Sequence, residues 1–119
     1  MIDTIDIRFI PQDQMRQPGI GDWWFAGNTL NIRTVEGDED EAFLVALHEL
    51  CESWLCRKFG VDQQAVDDFD NLFETEGHPK EAEPGDDPRA PYRSEHRQAM
   101  LIEHLMANFL GLTAYGTIR

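Results

Sequence analysis

Apolar and polar residues alternate from Ile2 to Ile10, with Ile5, Ile7 and Phe9 on one face and Asp6 and Arg8 on the other. That is the period of a strand with one buried side, and Pro11 stops it. Further on, Trp23-Trp24-Phe25 and Thr29-Leu30-Asn31-Ile32-Arg33-Thr34-Val35 flank Gly27-Asn28. Such a pair supplies the positive φ angles of a tight turn between twisted strands, so the segment predicts a hairpin. Together these stretches predict a short antiparallel N-terminal sheet of about three strands.

After Gly37 the period changes. From Glu41 to Phe59 the spacing is that of a helix. Projected at about 100° per residue, Leu44, Leu47, Cys51, Trp54 and Leu55 share one arc, with His48 and Glu52 along its edge. Asp38 to Glu41 put carboxylates where the helix dipole favours them, and Gly60 is placed to end the helix. Val61 to Glu76 carries Val66, Phe69, Leu72 and Phe73 at helical spacing behind a possible N-cap, Asp62. Glu76 to Pro91 holds four of the six prolines together with Gly77 and Gly85, which predicts a long ordered loop near a cleft. A third helix runs from Arg93 to Leu110, with Ala99, Ile102, Met106 and Leu110 as its apolar face and Gly111 closing it. The expected fold is α+β, one domain over 1–119 with the sheet packed on three helices.

Composition narrows the partners. A chain of 119 residues buries a core without disulfide support. Ten basic against 23 acidic residues give a formal charge of −13, which repels phosphate backbones and anionic membrane surfaces. The expectation is therefore no nucleic-acid and no membrane partner. No leader pattern opens the sequence, and no apolar run approaches the ~20 residues of a membrane span. Cys51 and Cys56, five positions apart on one helix, point in different directions and form no bridge, which suits a reducing cytoplasm.

The chemistry centres on His48-Glu49-Leu50-Cys51-Glu52. Residues four apart stand one above the other on a helix, so the His48 imidazole and the Glu52 carboxylate reach one ion while Glu49 stands beside it. A structural reading of the same residues is a half-buried histidine paired with a helix-spaced glutamate. Catalytic zinc takes three protein ligands, and the third helix directs His96 and Glu103 towards the core. They are about 10 Å apart along the axis, so only one joins the ion. His96 is the expected third ligand, with Glu103 orienting a ligating imidazole. The reverse assignment binds Glu103 and leaves His96 to stabilise an oxyanion. The structural alternative is a core histidine with a buried ion pair to Arg93 or Arg97. Tyr92, Trp23 and Trp24 read as packing, Asp86 and Asp87 as turn aspartates bonded to their own backbone, and His78 and His104 as surface residues.

The strand region, the motif helix and a later helix carrying a further ligand resemble a minimal zincin-like metallopeptidase domain. Within that group the chain is similar to small phage- or prophage-encoded proteins with a His-Glu-Leu-x-Glu motif. The resemblance implies that His48 is a metal ligand and that Glu49 is the general base acting on metal-bound water. Glu52 stands where the zincin pattern has its second histidine, and its extra negative charge makes a bound water less acidic. The resemblance further implies a peptide or protein substrate, held by backbone pairing to an edge strand, for which Thr29 to Val35 is the candidate. The leading expectation is a zinc-dependent hydrolase in which His48, Glu52 and His96 hold Zn²⁺. Two alternatives stand beside it. One is a Mg²⁺ site of Glu49, Glu52, Asp67 and Asp70, as in all-α nucleotide pyrophosphatases. The other is a non-catalytic acidic phage or prophage interaction protein.

Overall fold

The computed structural model describes residues 1–112. Its order is β1 (Thr4–Ile10), β2 (Gly21–Ala26), β3 (Thr29–Val35), α1 (Glu39–Lys58), α2 (Gln63–Thr75) and α3 (Arg93–Phe109), with single 3-10 turns at Gln12–Gln14 and Pro84–Asp86. The fold is α+β, a three-stranded sheet followed by three helices. Gly27, Gly60 and Gly111 have φ angles of 59°, 73° and 76°, so the hairpin and two helix ends fall where glycine permits the left-handed region. Asn28 does not share that conformation. Its carbonyl instead accepts the backbone N–H of Asp3 at 3.0 Å.

The sheet is mixed rather than antiparallel throughout. Its order is β1-β3-β2, with β1 parallel and β2 antiparallel to β3. The hairpin gives one side of β3 to β2, and β1 takes the other. Thr29–Val35 is consequently the central strand, not an edge, and both its sides are committed to the sheet.

α1 lies over β2 and β3 and against α3. The core joins Trp23, Leu30 and Ile32 of the sheet to Ala46 and Cys56 of α1, Val66, Phe69 and Phe73 of α2, and Tyr92 at the start of α3. Arg16 ties α2 to the sheet, grasping Asp22 through two hydrogen bonds of 2.9 and 3.0 Å and Asp67 through two more of 3.0 and 3.2 Å. Its bidentate geometry is the strong form of such a pair.

The apolar faces read from periodicity are only partly the buried ones. Ile5, Ile7 and Phe9 remain nearly half exposed because β1 lies at the margin of the sheet. Trp54, Leu72 and Ile102 also face outward. On α1 the interior takes Leu44 from the predicted arc and, beyond it, Ala42, Ala46, Ser53 and Cys56 together with His48 and Glu52. The polar pair lies inside, at greater depth than much of the apolar arc beside it. No described helix is long and apolar enough to cross a membrane, and the two cysteines are free.

Candidate metal centre

One turn of α1 separates His48 from Glu52, and α3 brings His96 against both. The donor atoms form a nearly equilateral triangle. His48 Nε2 is 3.0 Å from Glu52 Oε2, His96 Nδ1 is 2.9 Å from the same oxygen, and the two nitrogens are 3.2 Å apart. Tetrahedral zinc, with bonds of about 2.0–2.1 Å, separates its donors by ~3.3 Å. The triangle is therefore only slightly tighter than the face an ion would open. All three residues are buried.

Each ring is oriented from behind. Glu103 Oε1 lies 2.9 Å from His48 Nδ1, so that nitrogen donates its proton to the carboxylate and Nε2 is turned to the triangle. On α1 the other oxygen of Glu52, Oε1, accepts the indole N–H of Trp23 at 3.0 Å. Gly85, in the 3-10 turn, lies flat on the His96 ring: a Cβ there would stand 2.4 Å from its Cγ and Nδ1. Glycine is required at 85 for this contact. Gly21 plays the same part for the adjacent carboxylate, since a Cβ there would come within 2.4 Å of Glu49 Oε1.

Electrostatics follow from this packing. Burial works against charge on His48, but hydrogen bonds to Glu103 and Glu52 outweigh it and raise its pKa to about 11. His96 is likewise opposed by burial and raised to about 9, chiefly by Glu52 and Glu83. Burial works to raise Glu52, yet the two imidazoles prevail and lower it to about 2. Without an ion, then, two imidazolium N–H groups converge on one carboxylate oxygen with their nitrogens 3.2 Å apart. A single divalent cation would replace both protons at that point. Glu49 is raised well above the ordinary carboxylate range, first by burial and then by the charge of Glu52.

The triangle and Glu49 line one cleft of about 620 Å³, bounded by β2, α1, α2, α3 and the 80–85 loop. The other expected residues separate into distinct roles. Asp67 is held by Arg16. Asp70 accepts the Tyr92 hydroxyl at 2.5 Å, and burial before all else raises its pKa to about 7. Asp67 and Asp70, the two α2 carboxylates of the magnesium alternative, thus each already have a partner. Asp87 accepts the Arg89 backbone N–H as a turn residue, whereas Asp86 lies 3.3 Å from His96 Nε2. His78 stacks on Phe73, and His104 is half-buried at the cleft.

Trp23, Glu83, Gly21 and Gly85 were not identifiable as site residues from periodicity. Only the Pro-Gly-Asp turn at 84–86 carries a local signal, and it specifies a bend rather than a partner. No protein-family model matches the chain, nor does any curated protein or solved structure.

Proposed function

We propose that this protein is a zinc-dependent hydrolase, metallopeptidase-like in the arrangement of its reacting groups. The observation that carries the proposal is the triangle of His48 Nε2, Glu52 Oε2 and His96 Nδ1 with sides of 2.9–3.2 Å. Two imidazole nitrogens and one carboxylate oxygen suit zinc, whereas magnesium prefers oxygen donors throughout. A bound ion would supply Lewis acidity towards a substrate carbonyl and towards water.

The chain's own residues do the rest. Glu49, on the same helix and lining the same cleft, takes a proton from the attacking water and returns it to the leaving group. Burial and the neighbouring charge of Glu52 raise its affinity for a proton, the direction a general base needs. Trp23 and Glu103 hold Glu52 and the His48 ring in place.

Substrate class follows from the sheet. β3 offers no free side, and the edge nearest the cleft, β2, is partly occupied: the Phe25 N–H donates to Gln63 Oε1, and the Trp23 carbonyl accepts from Arg16. Long peptides bound by strand addition are disfavoured, and short peptides or compact amides held within the cleft are favoured.

The decisive experiment compares zinc content and peptide hydrolysis in wild type and Glu49→Gln, using protein purified without chelator or nickel resin and a fluorogenic peptide library. Zinc content should be unchanged, while kcat/KM falls by about 10²–10⁴-fold. Equal activity in the variant removes Glu49 from the mechanism. A wild type that retains no stoichiometric metal leaves the acidic interaction protein as the better reading.

A further inference from the structure

The far nitrogen of His96 points away from the triangle into a second group of carboxylates. Glu83 Oε2 and Asp86 Oδ1 stand 3.2 and 3.3 Å from His96 Nε2. These three donor atoms all lie within 4.8 Å of one another. Nε2 is buried in a residue only 5% exposed, and although both carboxylates lie in ion-pair range and their charge acts on the ring, neither meets the geometry of a hydrogen bond to it. The two oxygens are close enough for a hydrogen bond but lie out of line with the ring nitrogen. A buried ring nitrogen left in this condition is costly.

The geometry points to a second divalent-cation site, formed by His96 Nε2, Glu83 and Asp86, with the His96 ring bridging it to the first. It rests on the assignment of Nδ1 to the first ion. The spacing from nitrogen to each oxygen is close to the ~3.3 Å that separates donors around tetrahedral zinc. One ligand is buried and preset, and the other two are exposed and open to solvent, so an ion has both a fixed anchor and an entry path.

The local backbone accounts for how two loop carboxylates reach one ring nitrogen. Gly85 lies against the ring face with no room for a side chain. Glu83 and Asp86 flank the Pro84–Gly85 step that makes this contact, and the turn is closed by Asp86 N–H donating to the Glu83 carbonyl at 3.1 Å. Proline presets the bend and glycine permits the approach. A ring carrying an ion on each nitrogen is an imidazolate, and its remaining proton passes to solvent when the second ion binds.

Ion counting tests the site without reference to catalysis. Chelator-stripped protein is loaded with zinc and weighed by native mass spectrometry, beside Glu83→Gln/Asp86→Asn, with circular dichroism to verify that the variant is folded. Wild type should carry two ions and the double loop variant one. Two ions in both proteins, or one ion in both, overturns the second site while leaving the first intact. No ion in wild type overturns both. Copper(II) supplies an independent readout, because two coppers bridged by one imidazole ring couple their spins. The integrated paramagnetic signal of wild type should fall well below its copper content and match it in the double loop variant. Full signal from wild type holding two coppers overturns the bridge even if both ions bind.

Discussion

α1 has two contrasting sides. Towards the sheet it places Ala46, Leu50 and Cys56 in one apolar cluster with Leu30, Ile32 and Trp23, where the Trp23 indole N–H on Glu52 is the polar tie to the site. Towards α3 it presents His48 and Glu52 to His96 and Glu103, a seam of ionisable groups that are buried or nearly so. Apolar burial stabilises at about 25 cal/mol per Å². Buried ion pairs return little of their desolvation cost. The sheet side therefore holds the helix in place, and the α3 side uses that rigidity to keep His48, Glu52 and His96 within hydrogen-bond distance of one another, with Glu103 behind the His48 ring.

The contrast breaks first at the sheet side. Leu30 is fully buried, and Leu30→Ala removes most of its side chain from a packed interface, at a cost of about 2–5 kcal/mol. In thermal melts that corresponds to a fall of roughly 10 °C or more in Tm. Zinc stoichiometry measured well below Tm should remain as in wild type. A variant that loses its metal while still folded would show that the two sides are not separable.

A second perturbation reaches only the polar seam. His48 and His96 have pKa values of about 11 and about 9, above the 6.5 of an unstrained histidine. Groups raised on folding contribute stability that is complete below about pH 6.5 and is lost as pH rises through the folded values. Glu52 has the opposite sign: its contribution is present above about 4.5 and lost as pH falls through about 2, so it is constant in the alkaline window. Metal-free protein should accordingly lose several kcal/mol between pH 7 and pH 10. Zinc-loaded protein should lose less over the same range, since an ion stands where the two protons were. Lysine and tyrosine titration affects both forms alike, so the difference between the two Tm profiles isolates the seam. Parallel profiles would remove the imidazoles from the stability of the metal-free state.

The two sides were also unequally legible in the sequence. His48 and Glu52 were readable because i, i+4 spacing is a local property of a helix, and the inward aim of His96 and Glu103 followed from a projection of α3. Periodicity assigns a face but not what covers it. That is why Ile5, Ile7 and Phe9 form an apolar face at an open sheet margin, and why Trp54 and Ile102 point outward. The parallel pairing of β1 with β3 joins segments 25 residues apart in register, from Thr4 with Thr29 to Ile10 with Val35. Nothing in either strand specifies that choice. The Trp23 to Glu52 hydrogen bond and the Glu83 approach to His96 depend on the same long-range placement.

The smallest expected effect is the most selective. Glu103 faces Nδ1 of His48, on the side of the ring away from the triangle. Glu103→Gln keeps an oxygen that can accept the Nδ1 proton but removes the charge that makes the imidazole a better donor to an ion. Loss of such a supporting partner weakens metal binding by about 10–100-fold, and the retained acceptor places this variant near tenfold. Competition titration against a chromophoric chelator reads that change directly, with zinc stoichiometry unaltered and Tm of the metal-free protein little changed. If Glu103 were itself a ligand in place of His96, the same substitution would abolish stoichiometric binding and His96→Ala would spare it. The two variants therefore assign the third position at the ion, because only one of them can leave it filled.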